Sequence, residues 1–316
     1  MVVFLARRLA FFVLALLVSS LLIFSLIRLA GGNIAAVMLG QDASPGAIDA
    51  LMAELGLDRP LPVQYFDWLF GMLQGDLGNS FRTGEPVSEM ILSRLPISIP
   101  LALGGMAIAL FVAIPVGTFA ATHARRPIGA LVAMLSQVGI AVPVFWAGVL
   151  LAMVFGVHLG LLPTGGWTPW SDGIWRAVRS LILPAFALGV VMAASLSRYT
   201  RTAVLDVMNE DFVRTARAFG MTRRTSLYRV GLRNAALPLV TVIGLLAAEL
   251  VGGTVIIETV FSLPGLSRMI LSAVSAREVI VVQSTVMVVV AFVMTVNLVV
   301  DVLYGILDPR VRVASK

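Results

Sequence analysis

Cysteine is absent, and the single lysine among 316 residues is Lys316. The first absence excludes disulfides, thiolate metal sites and thiol catalysis. The two histidines, His123 and His158, are too few and too far apart in sequence to suggest a metal site. A phosphate-binding P-loop needs Gly-Lys-Ser/Thr between a strand and a helix, and no internal lysine is present to supply it. Charge is also scarce, at 13% of residues, where a soluble domain carries about 25%. What fills the space is apolar: hydrophobic residues make up 59% and the mean hydropathy is +0.98. That excludes an ordinary soluble enzyme and a disordered chain, and leaves an all-α polytopic membrane protein.

A membrane-crossing helix needs about 20 largely apolar residues, because each residue rises 1.5 Å through a core about 30 Å thick. Six segments qualify: 9–30, 97–122, 129–157, 181–197, 236–257 and 279–307. The first follows Arg7 and Arg8 as a signal peptide would. Its apolar run is too long for one and no small-residue cleavage site follows, so a retained helix is expected.

The net charge of +6 is distributed by topology and does not point to nucleic acid. Six spans place both termini on one side. That side holds fifteen lysines and arginines, including Arg125, Arg126 and the cluster from Arg198 to Arg233; the other side holds seven. The richer side is cytoplasmic by the positive-inside rule. Arg28, at the end of the first helix, is expected to snorkel to the interface.

The segment 31–96 is then extracytoplasmic. A helical pattern opens at Ser44-Pro45 and stops near Gly56, and a second apolar-periodic stretch covers 63–73. These predict a small helical cap. In the second outside loop, Trp167, Trp170 and Trp175 fit an interfacial aromatic belt.

The cytoplasmic loop 198–235 has the most pattern. Leu205, Met208, Phe212, Thr215 and Phe219 recur at intervals of three or four, as on one helix face. Asn209-Glu210-Asp211 supplies a cap and first-turn acids. Gly220 supplies a stop. Such a helix either lies on anionic lipid or docks into a partner's groove.

Two stretches here, Phe212-Val-Arg-Thr-Ala-Arg-Ala-Phe-Gly220-Met221 and Leu232-Arg-Asn-Ala-Ala-Leu-Pro238, resemble the EAA loop of bacterial ABC importer permeases. The likeness is to the peptide and nickel branch, of the dipeptide/oligopeptide permease B type. Further stretches agree in order: Leu55 to Tyr65, Gly75 to Ser80 with Pro86-Val87, Glu258 to Gly265, Asn297 to Tyr304, and Leu307-Asp-Pro-Arg310. The chain departs from the pattern at Arg214, where the motif has glutamate, and at Phe219, where it has lysine. It departs again at Val230-Gly231, where it has histidine, and at Gly31-Gly32-Asn33-Ile34, where it has Pro-Gly-Asp-Pro.

The resemblance implies the type I ABC importer permease fold. It divides the chain into an N-terminal helix (1–30), an extracytoplasmic loop (31–96), a five-helix core with its coupling loop (97–307) and a cytoplasmic tail (308–316). It implies that Phe212, Arg214, Thr215, Ala216, Arg217, Ala218, Phe219, Gly220 and Met221 form the coupling helix seated in an ATPase subunit. The implied partners are a second permease subunit, two ATPase subunits that bind ATP and magnesium, an extracytoplasmic substrate-binding protein and membrane lipid. This chain would hold no cofactor and catalyse nothing, and would form half of the path for dipeptides or oligopeptides.

Two acids fall within predicted spans, Glu249 and Asp301, and ionisable groups there usually face a cavity or a partner. Glu249 lies among Ala247, Ala248, Gly252 and Gly253, residues small enough for close helix packing or for a pathway. Asn297 lies one turn before Asp301. Pro115, Pro143, Pro184 and Pro238 interrupt four helices. The alternative function is an ion-coupled secondary transporter, which requires inverted repeats and midplane coupling acids; no convincing repeat is present and Glu249 is the one central acid.

Overall fold

The computed structural model describes residues 2–31, 34–39, 44–54 and 56–307. The expected tail 308–316, the signature residues Asp308 to Arg310, Gly32-Asn33 and Leu55 lie outside the described residues.

Every regular element there is helical: α1 (Val2–Gly31), α2 (Ile34–Leu39), α3 (Pro45–Glu54), α4 (Leu61–Leu73), α5 (Val87–Leu92), α6 (Leu95–Thr122), α7 (Pro127–Ala141), α8 (Val144–Leu151), α9 (Ile174–Met208), α10 (Asp211–Ala218), α11 (Arg223–Ser226), α12 (Leu232–Val260), α13 (Leu266–Ser275) and α14 (Val279–Leu307). Wider π turns continue α8 over Ala152–His158 and join α11 to α12 over Leu227–Gly231. The spans at 97–122, 236–257 and 279–307 match α6, α12 and α14 to within four residues.

Three spans differ from the sequence reading. The first, read as 9–30, starts seven residues earlier, since α1 takes in Arg7 and Arg8. The segment 181–197 is the middle of α9, which runs 35 residues. Arg176, Arg179, Arg198 and Arg201 end the apolar window but not the helix, since charge does not break backbone hydrogen bonds. The segment 129–157 is two helices bent by 101°. Val142 before Pro143 is extended, with φ −78° and ψ 118°, the conformation that a following proline imposes. Pro115, Pro184 and Pro238 sit inside continuous helices. Among the described residues, five helices are thus long and apolar enough to cross a membrane singly, and the bent pair supplies a sixth when taken as one span.

The chain forms two compact units: Met1–Arg8, Ile97–Pro264 and Val296–Lys316 in one, Leu9–Pro96 and Gly265–Thr295 in the other. In the first, α9 is the central helix, packed on α7, α8 and α12. Its approach to α6 depends on small residues. A Cβ at Gly117 would meet Ser197 O at 2.6 Å, and one at Gly189 would meet Ile108 Cβ at 2.6 Å. In lipid, where apolar burial gives helices no advantage over tails, this close contact is a main source of association. One apolar cluster joins Ala109, Ala113, Leu196, Val204, Leu227 and Leu239; another joins Leu101, Leu188, Ile257, Phe261 and Leu263. Trp167 and Trp170 pack on the second cluster with ring centroids 5.5 Å apart, so of the three loop tryptophans only Trp175 is exposed.

In the second unit, Val87 and Ile91 of α5 pack with Leu266, Met269 and Ala273 of α13 and Val281 of α14. The Gly75–Ser80 stretch is tied there: Ser284 Oγ donates to Leu77 O at 2.7 Å, and Ser80 Oγ donates to the buried Glu278 Oε2 at 2.6 Å. Gly78, at φ +78°, lies so close to Ile280 that a Cβ would stand 2.7 Å from its Cγ2.

Candidate functional site: the α9–α12 loop

The loop takes its shape from backbone chemistry. Asn209 ends α9, its Nδ2 donating to Leu205 O at 3.0 Å. Glu210 is extended (φ −70°, ψ 147°) and starts α10. The predicted single face from Leu205 to Phe219 is therefore divided between two helices, because the chain turns at 209–210. Asp211 places a carboxylate in the first turn of α10 and Arg217 a cation in the last, both favourable to the helix dipole. The Asp211–Arg214 pair, at 3.6 Å, is exposed and contributes little.

Gly220 closes α10 by a Schellman arrangement: Gly220 N donates to Arg217 O at 3.0 Å and Met221 N to Ala216 O at 3.2 Å. Its φ is +89°, yet a Cβ there would meet nothing within 4 Å. Backbone conformation, and not crowding, calls for glycine at this position. Thr222 then caps α11, its Oγ1 accepting from Thr225 N at 3.2 Å. Ser226 and Leu227 are fully buried and anchor the return.

Val213 is the one buried side chain of α10. Phe212 is 38% exposed and Phe219 85%. Arg214, Thr215, Arg217 and Ala218 are also exposed, and Ala216 and Met221 are half-buried. The helix and the residue that follows it thus present Phe212, Arg214 and Phe219 outward, while Arg217 turns toward the space behind α10. Behind it lies a cavity of about 1280 Å³ lined by Arg125, Arg126, Arg217, Arg223 and Arg224.

The three polar residues singled out in the spans are differently placed. Asp301 Oδ2 accepts from Arg8 Nη1 at 2.8 Å. Beside it, Gly305 accommodates the Phe4 ring, which a Cβ would meet at 2.6 Å. Asn297 Oδ1 lies 3.7 Å from the Cβ direction of Gly244, at an α12–α14 contact. Glu249 is exposed and makes no hydrogen bond or ion pair among the described residues. A third acid was missed. Glu258 belongs to α12, is fully buried and accepts from Ser98 Oγ at 2.6 Å. The predicted span stopped at Ile257, one residue short. Among the described residues no three His, Cys, Asp or Glu side chains group as a metal site.

The family model described as the binding-protein-dependent transport system inner membrane component matches residues 113–313, and the N-terminal model of the same systems matches residues 1–102. The chain belongs to this family. This permease is 39% identical over 306 residues to a putative peptide transport system permease of Brucella abortus (strain 2308), covering 97% of this chain and 98% of that one. It is 37% identical to the oligopeptide transport system permease AppB of Bacillus subtilis, covering 99% of this chain and all of that one. It is also 37% identical to the dipeptide transport system permease DppB of Escherichia coli K12, covering 99% of each. In fold, the permease resembles a chain of the MetNI methionine ABC transporter in an inward-facing conformation. The TM-score is 0.58, with 16% identity over 69% of this chain and 96% of that one.

Proposed function

We propose that this permease is one of two membrane subunits that together form the path of an ABC importer for dipeptides or oligopeptides, in a bacterial cytoplasmic membrane. In this reading it crosses the membrane six times with both termini in the cytoplasm. The loop 31–96 faces outward, toward a substrate-binding protein. ATP and magnesium bind to two separate ATPase subunits, and the chain itself catalyses nothing. The observation that carries the coupling assignment is α10, whose one buried side chain is Val213 and which has Phe212 and Phe219 turned outward. A short helix with an outward apolar face suits a groove on a partner. Near full-length likeness to named peptide permeases supports the cargo class. ATP and the loaded binding protein would then bias an equilibrium between inward- and outward-facing states.

The test is ATPase activity in lipid of the chain purified with its co-encoded neighbours, with and without the binding protein and a peptide mixture. Stimulated hydrolysis in the wild type, lost in Gly220→Trp, is expected. Proton- or sodium-driven uptake by this chain alone, with no co-purifying ATPase, overturns the reading and moves attention to Glu249.

A further inference from the structure

A second cavity, of about 820 Å³, lies between α1 and α4, a volume typical of sites for drug-sized ligands. Leu21, Leu29, Leu61 and Phe66 give it apolar walls, and among the described residues Arg28 is the one charged residue lining it. Arg28 has no carboxylate partner among the described residues, and its Nε is buried without an acceptor. Its nearest compensation is the Phe24 ring, 5.2 Å from the guanidinium carbon. Gln64 lines the same cavity and is 9% exposed. Its Nε2 donates to Leu57 O at 3.0 Å and to Arg59 O at 2.7 Å. Two carbonyl partners fix the amide orientation, because only the NH₂ end can donate. Oε1 is thereby left as a buried acceptor without a donor.

Unpaired polar groups of this kind are costly and call for a partner. The cavity offers a cation and an acceptor side by side with apolar walls. Phe24 and Tyr65, which also line the cavity, cluster with Trp68, with Phe24–Tyr65 centroids 5.5 Å apart and Phe24–Trp68 centroids 6.0 Å apart. Such clusters sit at headgroup level. An Arg28 that merely snorkelled would need neither the cavity nor the free amide oxygen.

We infer that this cavity is a binding site for one phospholipid. Its phosphate pairs with Arg28, its acyl chain lies along Leu21, Leu29 and Leu61, and a donor on its headgroup meets Gln64 Oε1. Arginine binds phosphate well because its planar fork matches the oxygens. The donor requirement selects the headgroup. Phosphatidylethanolamine offers N–H and phosphatidylglycerol offers O–H, whereas phosphatidylcholine offers neither.

The test is native mass spectrometry of the full chain with its accompanying subunits, delipidated and then titrated with these three lipids carrying identical acyl chains. The chemistry is varied in the lipid because Gln64 also holds its loop. Phosphatidylethanolamine and phosphatidylglycerol should be retained about tenfold or more above phosphatidylcholine, and Arg28→Gln should lower that retention about tenfold or more. Leu61→Trp, at a position 58% exposed, fills the cavity without burdening the fold and should also abolish it. Equal retention of all three lipids overturns the inference, as does retention unchanged in both variants. A crosslink from position 61 to another polypeptide, placing protein in the cavity, also overturns it.

Discussion

Ser98 of α6 donates to the carboxylate of Glu258, fully buried on α12, across 2.6 Å. A buried acceptor that loses a donor costs more than an ordinary hydrogen bond returns, because its desolvation is left less well compensated. Ser98→Ala is therefore expected to lower stability by about 1–3 kcal/mol. The thermal midpoint of the detergent-purified protein checks this.

Gly220→Ala is the cleaner probe of the α10 terminus than a bulky replacement. A Cβ at Gly220 meets nothing within 4 Å, so alanine tests the penalty of φ +89° without any clash, whereas a bulky residue adds its own volume to that penalty. The left-handed conformation costs a non-glycine residue roughly 1–2 kcal/mol. The expected outcome is a normally expressed protein with ATPase stimulation sharply reduced. Stimulation equal to wild type would show that the closed terminus of α10 is dispensable.

Val213, buried within α10, and Phe219, exposed at its C-terminal end, should fail differently. Val213→Asp removes the buried anchor and should lower the thermal midpoint of the chain itself. Phe219→Ser, at 85% exposure, should leave that midpoint unchanged and weaken retention of the ATPase on purification. Thermal shift and pull-down on the same preparations separate the two.

Gly117 and Gly252 make a contrast in helix packing. Gly117→Ala places a methyl 2.6 Å from the Ser197 carbonyl oxygen and should force α6 from α9, with loss of folded yield. Gly252→Ala meets nothing within 4 Å and should be tolerated. Fluorescence-detected size-exclusion profiles read both.

Arg8–Asp301 is the ion pair that joins the first helix to the last, at 2.8 Å with both side chains more than a third exposed. Solvent screening limits its worth, and Asp301→Asn should cost no more than about 1 kcal/mol. A larger loss in the same thermal assay, or a loss of uptake without one, would indicate that Asp301 acts in the pathway.

The helices were legible wherever an apolar run and a helix coincide, as in α14, where residues 279–307 were expected and found. They were less legible where the two differ. α9 continues through its flanking arginines to Met208, well beyond Ser197 where the apolar run stops, because helix ends are set by caps and turns. Glu258 was lost for the same reason from the other direction. Gly220 was readable from its type and place; the absence of crowding around it was not, since neighbours in space leave no trace in local sequence. The Arg28–Gln64 cavity was beyond reach, because Gln64 is unremarkable until its two carbonyl partners are known.

The single buried side chain of α10 has a mechanical consequence. With Val213 as its one buried side chain, α10 is more lightly anchored than the segment after it, where Ser226 and Leu227 are fully buried at the end of α11. A load applied at Phe219 is thus borne by the chain on its far side. It reaches α12 through an anchored turn and α9 only through the extended residue Glu210, so the two ends of this lever are unequal in stiffness.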